Sequence, residues 1–224
     1  MVDHHQMHVM QSGTYEGWVN IGGKRFDAGL IGSRDRSWGV RGAFPNQVID
    51  PKTHAPVGEE TRGAPAEDKT RRAWISAEFA DYTLHGWFWT GVHGELLIAD
   101  GAILSTSSEK IDTIFWNWEQ PLVRKSESGE AVSVALTLLD QAGRPIELEA
   151  TPLLQRSPEG NGYFKGYYGR KRLDLHVEGE SFDMSDPAFR REHGYMNGPM
   201  LARFTHDGNI GYGVIITALF ARRH

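Results

Sequence analysis

The sequence predicts an all-β protein, mostly antiparallel, built as a large sheet, a closed barrel or a sandwich with one short helix. Three observations carry this. Roughly ten short stretches alternate apolar and polar residues with period two. Turns bearing glycine, proline or aspartate separate them. No strand–helix alternation, the mark of a parallel sheet, occurs along the chain.

Composition narrows the class. With 224 residues the chain can bury a sizeable core as one large domain or two small ones. Its 39% apolar and 24% charged content fits a folded chain rather than a disordered one. A formal charge of −5 offers no basic field for a polyanion, so nucleic acid is not expected as a partner. The absence of cysteine excludes disulfides and thiolate metal sites. The N-terminus lacks the apolar core of a signal peptide, and no apolar run approaches the length of a membrane span. A cytoplasmic protein is the expectation.

Residues 1–12 form a polar N-terminal segment. Its His4, His5 and His8 would converge on a metal only in a helix, and a tail is expected instead. Residues 12–31 are a hairpin whose two-residue loop, Gly22-Gly23, suits a type I′ or II′ turn. Pairing Ile21 with Lys24 sets Val19 opposite Phe26, Gly17 opposite Ala28 and Tyr15 opposite Leu30 on one apolar face. Asn20 with Arg25, Trp18 with Asp27 and Glu16 with Gly29 fall on the mixed face. That pattern predicts a sheet with its apolar side in a core.

Residues 42–72 hold four prolines and no sustained period, which reads as a long loop and, after the cluster described below, as a candidate lid. Strands follow. In 73–79, Ala73, Ile75, Ala77 and Phe79 share a face. In 83–92, His85, Trp87 and Trp89 line one face and Leu84, Gly86 and Phe88 the other. Then come 95–99, 102–106 and 113–119, the last alternating Ile114, Trp116 and Trp118. Residues 132–139 and 145–151 form a hairpin that turns Glu147 and Glu149 to solvent. Two more strands are predicted at 163–168 and 172–177. Ser185-Asp186-Pro187 is a helix start, with the helix ending near Glu192. Residues 200–204 and 210–220 pair across His206-Asp207-Gly208-Asn209.

Two constellations carry chemistry. The stretch Gly32-Ser33-Arg34-Asp35-Arg36-Ser37-Trp38-Gly39-Val40-Arg41 packs three arginines, an aspartate and a tryptophan between glycines. Buried charges of this kind must be paired, so they form an internal brace or a site. As a brace, an Asp–Arg pair holds a bend and Trp38 plugs a barrel end. As a site, Asp35 moves a proton while Arg34 or Arg41 sets its pKa or holds a ligand oxygen. The His85-Trp87-Trp89 face is either an aromatic core layer or a pocket wall with one titratable group, with Trp116 adding to the tryptophan supply. Tyr195 and Met196 would close a pocket mouth or serve as a plain connector. No nucleophile elbow, phosphate loop, His-Glu-x-x-His or dinucleotide fingerprint occurs.

The pattern Gly-x-Arg-Asp-x-Ser-Trp-Gly-x-Arg at 32–41, with His85-Gly86-Trp87 and Gly211-Tyr212-Gly213, resembles the carotenoid 1,2-hydratase (hydroxyneurosporene synthase) superfamily over most of the chain after Gly13. The resemblance implies a lipocalin-like, calycin-type β-barrel. It also implies hydration, isomerisation or cyclisation of apolar molecules without a redox cofactor. Relatives generally carry two barrels, so a single barrel here implies a second subunit in a homodimer. Arg36 stands where relatives often have histidine.

Together these readings give one barrel domain over 13–224 that binds a hydrophobic small molecule, an isoprenoid, steroid or aromatic, in its cavity. The expected chemistry is cofactor-independent and metal-free acid–base catalysis of the hydratase/dehydratase or isomerase/cyclase type. Asp35 moves the proton, Arg34 or Arg41 orients it, and His85 is the partner acid or base. Trp38, Trp87, Trp89, Trp116, Tyr195 and Met196 contact the substrate. The alternatives are a non-catalytic carrier of an apolar ligand in the same barrel, and a structural subunit whose tryptophan face is buried against a partner.

Overall fold

The computed structural model describes residues 5–40, 48–49, 56–57, 71–91, 94–108, 110–119, 121–127, 130–155, 183, 185–188 and 199–219. Their strands are β1 (His5–Ile21), β2 (Lys24–Val40), β3 (Val48–Ile49), β4 (Pro56–Val57), β5 (Arg71–Glu78), β6 (Tyr82–Thr90), β7 (Leu96–Ser105), β8 (Ile111–Trp118), β9 (Leu122–Lys125), β10 (Ala131–Asp140), β11 (Pro145–Gln155), β12 (Met200–His206) and β13 (Asn209–Leu219). Eight of them close a ring in the order β5-β6-β7-β8-β10-β11-β12-β13, and β13 returns to β5. Short β9 pairs with the first half of β10. The architecture is a closed antiparallel barrel, as expected for a lipocalin-like fold. No helix among the described residues is long and apolar enough to cross a membrane.

Period-two alternation puts one face of every barrel strand inside. Registers align the apolar positions: Ala73 opposite Phe88, Ile75 opposite Ile215, Ala150 opposite Phe204 and Leu136 opposite Leu148. Phe88, Phe115, Phe204, Ile75, Leu84 and Leu148 are fully buried there. Phe88 stacks on Trp118 at 5.7 Å, and the Trp118 Nε1 donates to Thr90 Oγ1 at 2.8 Å. Side chains thus fill the described interior, as small barrels generally require.

Two inward glycines let the wall bend. A Cβ on Gly101 would lie 2.7 Å from the His85 carbonyl oxygen, and one on Gly213 would collide with the Ser76 carbonyl oxygen. Gly101 also explains why 95–99 and 102–106, expected as two strands, are the single β7: the glycine sits inside the strand at a close backbone approach. Trp116 and Trp118 were expected on one face, but Leu139 pairs with Asn117 and Asp140 with Phe115, so β8 carries an extra residue at Trp116. The bulge turns Trp118 inward and leaves Trp116 outside at 62% exposure. Asp140 closes the β10–β11 hairpin by accepting from the Ala142 and Arg144 backbone N–H groups, both at 2.8 Å. Strand β9 lies in a stretch that showed no strand pattern.

The β1–β2 hairpin has the predicted register from Ile21–Lys24 through Tyr15–Leu30. Gly22 and Gly23 have φ of 58° and 82°, the signature of a type I′ turn. Two features differ from expectation. Each strand runs 17 residues, so the pairing takes in the supposed tail from His5 and the cluster up to Val40. The hairpin also stands outside the barrel as its own two-stranded sheet, with the apolar face of Tyr15, Val19, Phe26 and Leu30 exposed rather than in a core. Pro187 and Ala188 begin the predicted helix, with Asp186 Oδ1 accepting from the Ala188 N–H at 2.8 Å. The remainder of that helix, the strands at 163–168 and 172–177, and most of the 42–72 loop lie outside the described residues.

Candidate functional site

The β5 and β6 strands are apolar inward, so their alternate residues form the outer barrel wall. There Ser76 stands opposite His85, and Trp74 opposite Trp87. Glu78 and Trp89 continue the same two rows. The hairpin lies over this wall through the β1 residues of one parity, His8, Met10 and Ser12, with Asp35 and Ser33 beside them on β2. The His-Trp-Trp face is therefore neither core layer nor barrel cavity. It is one side of the seam between barrel and hairpin.

Ser12 crosses the seam. Its Oγ donates to Glu78 Oε1 at 2.8 Å and lies 2.7 Å from His85 Nε2, from which it accepts. Ser76 Oγ also donates to Glu78 Oε1, at 3.3 Å. Glu78 is only 6% exposed and His85 only 7%. Burial pushes the Glu78 carboxyl above its ordinary range, against the opposing pull of the Ser12 and Ser76 hydroxyls. Burial also holds the His85 imidazole below its ordinary value. Glu78 Oε2, His85 Nδ1 and Trp89 Nε1 are buried without a hydrogen-bond partner among the described residues. A buried polar atom left unpaired is costly, and such atoms concentrate where something else is bound or reacts.

A second pair lies further along the seam. His8 stacks on Trp74 at 6.5 Å and meets the Trp87 edge at 5.1 Å. Its Nε2 is hydrogen-bonded to Asp35 Oδ1. Asp35 is therefore braced by a histidine, not by an arginine. Four residues of extended chain, about 13 Å, separate His8 from Ser12.

Of the residues expected in the site, Trp87 and Asp35 meet the seam through His8 and His85 meets it through Ser12, while Trp89 stands on the same outer wall two residues further along β6. Arg34 and Trp38 do not: period two turns them, with Arg36, onto the opposite face of the hairpin, where a groove of about 500 Å³ is lined by Val9, Gln11, Arg34, Arg36 and Trp38. Trp116 is exposed on the barrel wall, away from the seam strands. Arg41, Tyr195 and Met196 lie outside the described residues. Ser12, Trp74 and Glu78 are not among the residues expected from the sequence, which assigns His8 to a polar tail or, in a helix, to a metal. The signal lies in β5, where Trp74, Ser76 and Glu78 alternate with the apolar row Ala73, Ile75 and Ala77. Among the described residues no group of three His, Cys, Asp or Glu side chains is placed to hold a metal ion.

At the barrel end, Tyr82 stacks on Phe79 at 4.5 Å, and its hydroxyl meets His206 Nδ1 at 2.7 Å. This joins the β5–β6 turn to the β12–β13 turn.

Comparison with known proteins adds the following. A model described as a family of unknown function (DUF8625) matches residues 2–223. No curated protein matches the chain. A crystal structure of a protein provisionally assigned as AttH, from Nitrosomonas europaea, is similar in fold, with a TM-score of 0.51 and 17% identity over 97% of this chain. The match takes in 53% of that protein, so the chain spans about half its length.

Proposed function

The chain belongs to the family of unknown function DUF8625, and on that premise we propose that it is a cofactor-independent acid–base enzyme acting on a hydrophobic small molecule at the seam between barrel and hairpin. Hydration, dehydration, isomerisation or cyclisation of an isoprenoid, steroid or aromatic compound is the reaction class, in line with the resemblance to carotenoid 1,2-hydratases. In this reading the ligand lies on the tryptophan-lined outer wall, because buried side chains fill the described barrel interior.

The observation that carries this reading is the Glu78–Ser12–His85 chain, ending in two unpaired atoms. With Glu78 protonated on Oε2, every hydrogen bond runs one way: His85 Nε2–H to Ser12 Oγ, and Ser12 O–H to Glu78 Oε1. Oε2–H is then an acid and Nδ1 a base. Glu78 delivers its proton to a double bond, and His85 Nδ1 takes a proton from the attacking water or from a neighbouring carbon. Transfer of the Nε2 proton to Ser12, and of the Ser12 proton to Glu78 Oε1, returns both groups to neutrality with the protons on Nδ1 and Oε1. Proton exchange with water then resets Oε2–H and the free Nδ1. Both pKa directions favour this neutral starting state. The faces of Trp74, Trp87 and Trp89 suit a developing cation in a dry site. Asp35 with His8 forms a second acid–base pair on the same seam.

The test is a panel of terpenoid, steroid and phenylpropanoid compounds read by mass spectrometry with the parent chain, Glu78→Gln, His85→Gln and Asp35→Asn. The expected result is a product altered by one water, or isomeric with its substrate, formed by the parent and lost by at least a hundredfold in Glu78→Gln. Unchanged turnover in Glu78→Gln removes that residue from the chemistry. A compound bound and always returned unchanged favours a carrier.

A further inference from the structure

We infer that the face of the β1–β2 hairpin turned away from the barrel is a separate binding site for a free amphipathic anion, a carboxylate or phosphate head on an apolar body. Arg34 and Arg36 are two residues apart on β2 and point the same way, opposite Gln11 and Val9 on β1. Asp35 between them points to the barrel and is held by His8. Neither arginine has an acidic partner among the described residues. Two guanidinium forks and the Gln11 amide therefore stand side by side with no counter-charge among the described residues, while Val9 and Trp38 supply an apolar wall to the same groove of about 500 Å³. That volume suits a small organic ligand, and paired guanidinium groups match an oxyanion.

The charge pattern of the whole face agrees. Along the full register it carries Lys24, Arg34 and Arg36 and no carboxylate, whereas Glu16, Asp27 and Asp35 all fall on the opposite face. This runs against the chain's own average of 29 acidic to 24 basic residues. Its other large side chains are apolar and exposed, among them Met7, Tyr15 and Leu30. A merely solvated face would mix signs and carry fewer such groups. Apolar surface with cations alone fits an amphiphile whose head is anionic.

The experiment is calorimetric titration of the full chain with monomeric dodecanoate, dodecyl phosphate and dodecanol, in parallel with the double variant Arg34→Gln/Arg36→Gln. Both arginines are exposed, so the variant keeps the fold. The anions are expected to bind, with dodecanol weaker by tenfold or more and the double variant weaker for the anions by about a hundredfold. Added salt weakens the anions and not the alcohol. Glu78→Gln leaves these affinities unchanged, so failure here and failure of the catalytic reading are told apart. Three results overturn the inference: no binding of either anion, equal affinity for dodecanol, or full affinity in the double variant. Association with phosphatidylserine vesicles alone assigns the face to a membrane surface instead. Self-association that buries Trp38 assigns it to a second copy, and either result also overturns the inference.

Discussion

Glu78 and His85 pull stability in opposite directions with pH. Glu78 has a raised folded pKa, so the protein binds its proton more tightly than the unfolded chain does. The stability this contributes is present at low pH and is lost as pH rises through the raised value. His85 has a depressed folded pKa, so its contribution is present above the ordinary value of 6.5 and is lost as pH falls through the lower folded one. Thermal unfolding followed by circular dichroism should therefore show the parent losing stability relative to Glu78→Gln on the alkaline side. Relative to His85→Gln, the parent should lose it on the acid side. Parallel curves for parent and variant would mean that neither group is buried in solution. A different residue tests the wall itself: Gly213→Ala pushes a methyl into the Ser76 carbonyl, with a cost on the order of 1–3 kcal/mol by urea denaturation.

The hairpin is two elements in one. Its base is held by Ser12 at His85 and Glu78 and by His8 between Trp74 and Trp87. Its outer half, 15–30, is exposed on both faces, with Trp18 at 59% and Val19 at 50%. An isolated two-stranded ribbon is marginal in water. Amide exchange should therefore be slow in 8–12 and 33–37 and fast in 15–30, and Ser12→Ala should speed exchange at the base. Equal protection along the whole ribbon would mean that its outer half is covered by a partner in solution.

For the molecule as a whole, the ring of eight strands leaves no open barrel edge, and its stability rests on the inward face. Phe88→Ala should cost about 3–5 kcal/mol. Trp116→Ala, removing a still larger side chain from the outside, should change stability by less than about 0.5 kcal/mol. Similar costs for the two would place Trp116 against something absent from the isolated chain.

The sequence by itself determined most of the barrel strands, the hairpin register and the class of fold, because each of these follows from period-two alternation and turn chemistry within about twenty residues. Tyr15 facing Leu30 and the type I′ glycines could be read with no knowledge of the rest. Which side of a strand faces the core was legible only where one side was plainly apolar, as in β5. The hairpin shows the limit: alternation separated its faces correctly but could not say which was covered, and the polar face turned out to be the docked one. The candidate site was half legible for the same reason. Asp35 and His85 stood out as titratable groups among tryptophans, and period two already divided Asp35 from Arg34. What brings Ser12 to Glu78 and His85 is a packing contact across more than sixty residues of chain. Only the closed barrel, by fixing where the β5–β6 wall faces outward, decided that they meet.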